Sequence, residues 1–436
     1  MSSDHVPGGG DGAVDRAAIV HDWNSEALEN PAWKEGLEFY DESLRDGIQS
    51  PSATDPSIED KEHILVLQDK VGIQHTDIGL PGAGPRAVAD VEHLARFVID
   101  SGLGLNMSCA ARTHPNDIQP IIDISQRVGR PIEVMAFLGS SPIRLFTEGW
   151  TTEKLVDLTR NAVRMAVKAG HPCTFVTEDT VRSTPDTLKT LFRVALDEGA
   201  KGLCICDTVG SATPGGVRSI IRWTKRLVKE WGYPDTVIDW HGHNDRGFGL
   251  INAVAAAMAG AKRVHGTILG VGERVGNTSI DLLLVNMKLL GVEMQGDLSA
   301  LREYAELGAK ATDTPLPFNY PVFGRDAFRT GTGVHAAAVI KALNKGDEWL
   351  ADRIYSGVPA ADFGLEQVIE VGHMGGRSNV VYWLKSRGIE PEDALVAAVF
   401  DTAKQSNRVL TDDEVHAVVN GYRAQSADGS SASGLA

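Results

Sequence analysis

Residues 236–269 have the sequence TVIDWHGHNDRGFGLINAVAAAMAGAKRVHGTIL, in which two short β-rich runs flank a longer segment that reaches a glycine. A strand–helix–strand unit of this kind is the building block of parallel α/β proteins. Six further β-rich runs precede it at broadly regular intervals. They lie near 37–44, 75–80, 103–108, 132–138, 173–178 and 202–207. Eight strands that alternate with helices over about 250 residues predict an α/β fold of the TIM (β/α)8 barrel type.

The segments between the β-rich runs have helical periodicity. In 88–102, 151–170 and 184–200, apolar residues recur at spacings of three and four, and each segment ends at or near a glycine. The alternative is a doubly wound open sheet, which usually has a glycine-rich turn after its first strand. Here the first strand is followed by RDGIQSPSATD (45–55), which contains no GxGxxG motif, so the barrel is preferred.

Composition shifts divide the chain into four parts. Residues 1–30 and 425–436 are rich in Gly, Ser and Asp, and we expect disordered or extended tails there. Residues 31–300 form the predicted catalytic barrel. Residues 301–424 are mostly helical in pattern, with Pro- and Gly-rich loops, and we expect helical accessory subdomains.

Charge and cysteine content exclude several classes of protein. The chain has 42 Lys and Arg against 58 Asp and Glu, a net charge of −16, which argues against nucleic acid as a partner. No apolar run of 18 residues exists, so we expect no membrane span. The four cysteines form no CxxC pair and are too sparse for a disulfide scaffold, as in a cytoplasmic protein. Cys204 and Cys206 alternate within an apolar run and are expected to be buried strand thiols. The N-terminus contains no apolar signal core.

Active sites of (β/α)8 barrels lie at the carboxyl ends of the strands, where several polar residues occur in this sequence. His241 and His243 are two residues apart, so on a strand they share one face and lie about 7 Å apart. Asp46 follows the first strand. A mixed set of imidazole and oxygen ligands suits Mn²⁺, Mg²⁺, Co²⁺ or Zn²⁺ with open coordination positions. A purely structural histidine pair is the alternative.

Several motifs in order carry a family resemblance. LRDG (44–47), HGHND (241–245) and GERVGN (272–277) resemble the DRE-TIM metallolyase superfamily, in the branch of 2-isopropylmalate, homocitrate and citramalate synthases. EDTVRS (178–183) and DTVGSATP (207–214) match the same branch. The resemblance is dense over 37–300. It continues more loosely in FGRDAFRTGTGVHAAAVIKAL and VGHMGGRSNVV, which resemble the helical subdomains of the synthases.

The resemblance implies a Claisen-type condensation of acetyl-CoA with an α-ketoacid that is bound to a divalent metal ion such as Mn²⁺ or Mg²⁺. It implies that the ion is held by Asp46, His241, His243 and Asn277. Arg45 would stabilise the developing oxyanion, although an ion pair with Asp41 or Glu42 is the simpler role. Thr208 would bind the ketoacid carboxylate. Glu178, His335 and Tyr355 would serve proton transfer and positioning of the thioester. The family also suggests a homodimer in which His335 acts on the neighbouring subunit.

Departures from the family pattern concern the substrate. Asp77 stands where the family has Glu, and Arg144 stands where the isopropylmalate branch has His. Arg112 offers a second cation nearby. Arginine suits carboxylate or phosphonate groups and is costly in an apolar pocket without an anion. We therefore expect Asp77, Arg112, Arg144 and Thr208 to bind substrate. The alternative for Arg144 is an ion pair with Glu148.

The best substrate hypothesis is 3-phosphonopyruvate or phosphinopyruvate, because DGIQSP (46–51) and DIGLPGAGP (77–85) resemble the phosphonomethylmalate and phosphinomethylmalate synthases of antibiotic pathways and the Re-type citrate synthases. The product would be a 2-phosphonomethylmalate-type acid. Re-type citrate, homocitrate or 2-isopropylmalate synthesis from oxaloacetate, 2-oxoglutarate or 2-oxoisovalerate is the alternative. Metal-dependent C–C lyase activity and a non-enzymatic binding module are further alternatives. The sequence ends soon after the helical region, so we expect no leucine-binding regulatory domain.

Overall fold

The computed structural model describes residues 16–26, 34 and 36–432, and its centre is a closed barrel of eight parallel strands in chain order. Each strand pairs with the next, and the eighth pairs with the first in the register Phe39 to Val264. The strands are β1 Glu38–Asp41, β2 His75–Asp77, β3 Asn106–Arg112, β4 Glu133–Gly139, β5 Cys173–Glu178, β6 Gly202–Asp207, β7 Val237–Gly242 and β8 Arg263–Gly266. The predicted barrel is confirmed, although the third strand begins three residues later than the apolar run at 103–108.

Helices surround the barrel and connect the strands. Two short helices, α1 Arg16–Ile19 and α2 Trp23–Glu26, precede β1. The connecting helices are α3 Ile58–Lys70, α4 Pro85–Asp100, α5 Pro115–Val128, α6 Pro142–Glu148, α7 Thr152–Lys168, α8 Pro185–Asp197, α9 Pro214–Glu230, α10 Gly249–Ala259 and α11 Ile280–Leu289. Helix α7 shows the local logic. Thr151 caps it by accepting the N–H of Lys154, and Leu155, Val163 and Ala166 are fully buried on one face.

Charged residues fill the amino end of the barrel interior. Arg263 at the start of β8 is 4% exposed and donates to both carboxylate oxygens of Asp239 on β7, at 2.8 and 2.7 Å. It also donates to Glu133 at the start of β4, at 2.7 Å, and to the hydroxyl of Thr174 on β5 at 2.9 Å. A buried arginine is tolerated only when its donors are satisfied, and this one links four strands across the barrel.

The barrel core extends past residue 300, where the sequence placed the domain boundary. Helix α12, Leu301–Ala311, buries Leu301, Tyr304 and Ala305 in the same hydrophobic core as the strands. The hydroxyl of Tyr304 donates to the carboxylate of Asp41 at the end of β1. Phe363 also belongs to this core. The accessory region is therefore packed into the barrel from α12 onward, because the barrel's own connecting helices leave apolar surface beside α3 that α12 covers.

Beyond α12 the chain is mostly helical, as predicted. The elements are β9 Arg329–Thr330, α13 Gly333–Asn344, α14 Glu348–Ala351, β10 Val368–Ile369, α15 Arg377–Ser386, α16 Asp393–Gln405 and α17 Asp412–Ala432. Strands β9 and β10 pair in parallel, which the sequence reasoning did not predict. A small core around Val339 joins α13, α14 and β10, and a larger one around Trp383 joins α15, α16 and α17.

The predicted tails differ from the structure where it describes them. Helix α17 continues to Ala432, so residues 425–432, predicted to be disordered, are helical. Within the predicted tail at 1–30, residues 16–26 include α1 and α2. The remainder of both tails lies outside the described residues. Among the residues that are described, no helix has the length and apolar character needed to cross a membrane.

Candidate active site

A cavity of about 340 Å³ opens at the carboxyl ends of the barrel strands, and we call it the central cavity. Part of its wall is apolar. This part consists of Leu80, Ala110, Met135, Phe137 and Val176. The rest is polar and includes most of the candidate catalytic residues. Cys204 and Cys206 on β6 also line it, and both are free, buried thiols, as predicted. Cys109 and Cys173 are free and buried as well.

Four predicted metal ligands meet at the floor of the central cavity. His243 Nε2 lies 3.2 Å and His241 Nε2 3.7 Å from the same carboxylate oxygen of Asp46. The side-chain amide of Asn277 donates to that oxygen at 2.5 Å. All four residues are buried. The backbone explains the meeting, because His243 and Asn277 form an antiparallel bridge between the loops that follow β7 and β8.

The chemistry of this cluster fits a divalent ion. One nitrogen from each histidine and one oxygen of Asp46 lie within 4.8 Å of one another. The amide oxygen of Asn277 and Nδ1 of His243 are buried without a hydrogen-bond partner, and such atoms are costly unless something binds them. Burial disfavours the ionised form of Asp46, but Arg45 and the histidines hold its pKa well below the usual range. The carboxylate is therefore in the form that binds metals.

Arg45 lies beside this cluster and joins three carboxylates. Its Nη2 donates to Glu42 at 2.7 Å, Nη1 to Asp46 at 2.8 Å and Nε to Asp77 at 2.9 Å. The expected ion pair with Glu42 is thus present together with the contact to Asp46. A guanidinium has five N–H groups, so two remain for a ligand in the cavity, where the side chain is 18% exposed.

Asp77 has a different place from the one predicted. It is fully buried, contacts Arg45 and the N–H of Gly79, and does not line the central cavity. Burial raises its pKa to about 6, although Arg45 opposes that shift. In the structure Asp77 therefore supports Arg45 and lies outside the lining of the central cavity, and its predicted contact with substrate stays a prediction. The shorter aspartate reaches Arg45 because β1 and β2 are neighbouring strands.

Two residues near the metal cluster were not among the site residues predicted from the sequence. Glu42 accepts from Nδ1 of His241 at 2.6 Å, and His265 on β8 lies between Glu42 and Asp239. Both residues are buried and both line the central cavity. A signal was available for His265, because it stands two residues after Arg263 and therefore shares its inward face. Glu42 was considered only as a partner of Arg45.

Arg144, Glu178 and Thr208 line the central cavity, as predicted. Arg144 packs over Gly139, where a Cβ atom would lie only 2.6 Å from the arginine Cγ. Its Nη1 lies 3.3 Å from Glu148, and its buried Nε has no hydrogen-bond partner. Both the predicted cavity position and the alternative ion pair are therefore seen. Burial raises the pKa of Glu178, an effect that the nearby Arg144 opposes.

Arg112 does not reach the central cavity. It forms a bidentate pair with Asp117 at 2.7 and 2.8 Å, and its side chain is 64% exposed. It lines a second cavity of about 360 Å³, which shares Arg144 and Glu178 with the first. The prediction that Arg112 binds the ketoacid is not supported by this position, because its Nε and Nη2 donate to Asp117 and the side chain does not line the central cavity.

His335 and Tyr355 lie together on the helical region and away from both cavities. Their rings stack with centroids 4.1 Å apart, and both side chains are exposed. Neither residue lines the central cavity of its own chain. Their predicted catalytic role, which includes action in a neighbouring subunit, therefore stays a prediction.

Comparison with known proteins agrees with this architecture. A homocitrate synthase of Methanothermobacter thermautotrophicus is 29% identical over 411 residues, covering 93% of this chain and 98% of the relative. A probable 2-isopropylmalate synthase of Ignicoccus hospitalis is 27% identical, covering 91% and 94%. An HMG-CoA lyase structure from Bacillus subtilis superposes with a TM-score of 0.53 at 18% identity, covering 65% of this chain and 96% of the lyase, and shows the shared barrel fold.

The model of the HMGL-like family matches residues 36–307, which span the whole barrel and end within α12. This range contains the metal cluster, Arg45 and every residue named above as lining the central cavity. The match covers more than half of the chain, and the relatives named above come from the synthase branch. The chain therefore belongs to the HMGL-like family, in the synthase branch of the DRE-TIM metallolyases.

Proposed function

We propose that the protein is a divalent-metal-dependent acyltransferase that condenses acetyl-CoA with an α-ketoacid, giving a 2-substituted malate and CoA. The observation that carries the proposal is the cluster of Asp46, His241 and His243 with Arg45 beside it in one cavity, and with Asn277 bonded to Asp46. The names of the relatives support the reaction class, since they are homocitrate, 2-isopropylmalate and citramalate synthases. Mn²⁺ and Mg²⁺ are the preferred ions, and Co²⁺ or Zn²⁺ would also suit the ligands.

When bound, the divalent ion supplies Lewis-acid polarisation of the ketoacid. Arg45 contributes two N–H groups that its three carboxylates leave unused. These donors stabilise the negative charge that develops on the keto oxygen as the new C–C bond forms. Thr208 accepts the N–H of Asp179 at 2.8 Å, an arrangement that leaves its own O–H to donate to the ketoacid carboxylate.

Glu178 is the proposed base for the acetyl-CoA methyl group. A base for this proton must be ionised and yet have a pKa that burial has moved towards neutrality. Burial raises the pKa of Glu178, and the positive charge of Arg144 opposes that rise and favours the ionised carboxylate. The proton leaves the methyl carbon, and the resulting enolate attacks the keto carbon. Hydrolysis of the thioester then releases CoA.

The proposed ketoacid has an anionic side chain, with 3-phosphonopyruvate or phosphinopyruvate preferred. Arg144 is the supporting residue, since it enters the cavity with an unpartnered Nε. Its pair with Glu148 joins two side chains that are both more than a third exposed, and such pairs contribute about 1 kcal/mol at most. An anionic substrate can therefore replace Glu148. The second candidate is an aliphatic ketoacid such as 2-oxoisovalerate, which the apolar wall with Met135 and Phe137 favours.

The test is release of free thiol from acetyl-CoA with a panel of ketoacids. The panel contains 3-phosphonopyruvate, phosphinopyruvate, oxaloacetate, 2-oxoglutarate and 2-oxoisovalerate, each with Mn²⁺ or Mg²⁺. We expect CoA release with the ketoacids whose side chain is anionic, and a higher kcat/KM for them than for 2-oxoisovalerate. A higher value for 2-oxoisovalerate would overturn the substrate proposal alone. If no ketoacid of the panel gives thiol release and the protein instead cleaves a hydroxyacyl-CoA, the site belongs to a lyase.

We also propose a cytoplasmic homodimer in which His335 and Tyr355 act at the cavity of a second copy. Their exposure and mutual stacking support this arrangement, because a stacked pair offers a preformed apolar and polar surface to another molecule. Mixing Arg45→Lys with His335→Ala tests it. If the residues act across subunits, the mixed dimers regain about a quarter to a half of the wild-type activity per chain. If they act within one chain, the mixture shows only the sum of the two variants.

A further inference from the structure

Glu42 has an unusual number of charged partners for a buried carboxylate. One oxygen accepts from Arg45 Nη2 at 2.7 Å and from Nδ1 of His265 at 3.2 Å. The other accepts from Nδ1 of His241 at 2.6 Å. The side chain is 3% exposed. Glu42 thus joins a metal ligand, His241, directly to the cationic residue of the cavity, Arg45, and it does so from outside the predicted ligand set.

His265 contacts Glu42 from the interior of the barrel, on the side of Asp239. It is 1% exposed, and its Nε2 lies 3.3 Å from the carboxylate of Asp239, which Arg263 also holds. Both ring nitrogens therefore face carboxylates, which only accept hydrogen bonds when ionised. The ring stacks on Tyr40 with centroids 4.0 Å apart, which fixes its plane. His265 consequently contacts Glu42 with one ring nitrogen and Asp239 with the other, and this double contact holds Glu42 in place.

The contact with Glu42 determines what His241 can do. Because the carboxylate accepts from Nδ1, the proton of a neutral His241 is on Nδ1 and the lone pair is on Nε2. Nε2 is the nitrogen that lies near Asp46, 3.7 Å from its carboxylate. A carboxylate behind a ligating histidine fixes its tautomer and ring orientation and strengthens it as a ligand. The same carboxylate fixes one arm of the Arg45 guanidinium.

We propose that Glu42 and His265 are a positioning pair of this site: Glu42 sets the orientation of both His241 and Arg45, and His265 acts through Glu42. The proposal rests on the proposed function for the role of Arg45, and on the metal cluster for the role of His241. In this proposal neither residue contacts the ketoacid or transfers a proton.

The first test is Glu42→Gln, with Mn²⁺ affinity measured by electron paramagnetic resonance of the free ion. An amide keeps the shape but turns one acceptor oxygen into a donor, which must face either His241 or the pair of Arg45 and His265. We expect Mn²⁺ affinity to fall about 10- to 100-fold. At saturating Mn²⁺, kcat is expected to fall more than the KM of the ketoacid changes, because Arg45 loses its orientation.

Glu38→Gln is the matched control. Glu38 is the first residue of β1, the strand that Glu42 follows, and it also pairs with a histidine, His75, at 2.9 Å, and with Lys262 at 3.0 Å. It lies four residues towards the other end of the barrel and does not line the central cavity. We expect this variant to keep the wild-type Mn²⁺ affinity and kcat. Equal losses in both glutamine variants would overturn the proposal, because the effect would then come from general weakening of the barrel.

The second test distinguishes the two sides of His265. The amide nitrogen of asparagine reaches about as far as Nδ1 of histidine, and that of glutamine about as far as Nε2. His265→Asn therefore keeps a donor for Glu42, whereas His265→Gln keeps a donor for Asp239 only. We expect weaker Mn²⁺ binding in His265→Gln than in His265→Asn at similar Tm. Equal Mn²⁺ affinities in the two variants would overturn the proposal that His265 acts through Glu42. This test can still be made if Glu42→Gln does not fold.

The outcomes separate this inference from the proposed function. Mn²⁺ affinity is measured without turnover. If the wild-type chain releases no CoA with any ketoacid but Glu42→Gln still weakens Mn²⁺ binding, the positioning of His241 stands and the acyltransferase proposal is wrong. If Glu42→Gln binds Mn²⁺ as tightly as the wild type, the positioning pair is wrong whatever reaction the protein catalyses.

Discussion

Replacing Arg45 by lysine is expected to remove most of the activity while leaving the fold and the metal cluster in place. The three carboxylates around Arg45 are contacted by three different guanidinium nitrogens, at 2.7, 2.8 and 2.9 Å. Two of the five N–H groups remain for the substrate. Lysine has three N–H groups on a single nitrogen, so the carboxylates take up its donors and none is left for the keto oxygen.

The expected size of the effect follows from this count. Removal of one donor to a developing oxyanion costs about 10²- to 10³-fold in kcat, or about 2.7–4 kcal/mol. Arg45→Lys removes both free donors and is expected to lose at least this factor in kcat, with a small change in Tm because the positive charge remains among Glu42, Asp46 and Asp77. Arg45→Met removes the charge as well. Breaking a buried ion pair in this way costs about 3–5 kcal/mol of stability, so this variant is expected to unfold at a clearly lower temperature.

The assay is thiol release from acetyl-CoA at saturating Mn²⁺, using the ketoacid that gives the highest wild-type rate, together with Tm and Mn²⁺ affinity. Arg164→Lys is the matched control, because Arg164 forms a bidentate pair with Glu198 on the outside of the barrel at 2.8 and 2.6 Å. Such exposed pairs contribute little to stability, and activity should not change. An Arg45→Lys variant with kcat within tenfold of the wild type would refute the assigned role.

Three other predictions concern the metal, the substrate and pH. Dialysis against a chelator should abolish thiol release, with recovery on adding Mn²⁺, and His243→Ala should prevent recovery; full activity in the chelated protein would contradict the metal site. Arg144→Gln should lower kcat/KM for the anionic ketoacid about 10-fold or more and leave 2-oxoisovalerate nearly unchanged, whereas an equal loss for both would show a structural role. Burial raises the pKa of Asp281 from 3.8 to about 6, although Tyr320 and the N–H of Leu269 oppose the shift. The folded state therefore binds a proton that the unfolded state releases between about pH 4 and 6, and this stabilisation is lost as pH rises. Asp281→Asn should lose less Tm than the wild type over that range in calorimetry, and identical pH profiles would count against the assigned pKa.

The barrel could be predicted because its signal is local and repeated. A strand that is buried on both faces has a short apolar sequence, as β6 does in GLCICD at 202–207. The third strand was placed early because LGL at 103–105 is apolar, whereas the pairing with β2 begins at Asn106. Boundaries of this kind depend on which backbone groups meet the neighbouring strand, and local composition does not determine that. The packing of α12 against α3 was missed for the same reason.

The candidate site could be predicted only in part. Spacing on one strand placed His241 and His243 together, and the family motifs added Asp46, Asn277 and Arg45. Arg112 carried the same cationic signal as Arg144, yet Asp117, five residues later on the next helix, turns it away from the central cavity. No pattern in the sequence shows which carboxylate an arginine will pair with.

The sequence by itself determined the eight-fold alternation, the ligand types and the place of the site at the carboxyl ends of the strands. Tertiary structure alone decided which side chains share contacts across the barrel. Glu42 meets His241 across 199 residues of chain and His265 across 223, and Asn277 meets Asp46 across 231. The physical reason is barrel closure. Pairing of β8 with β1 brings the two ends of the repeat side by side, and buried polar groups there must satisfy one another.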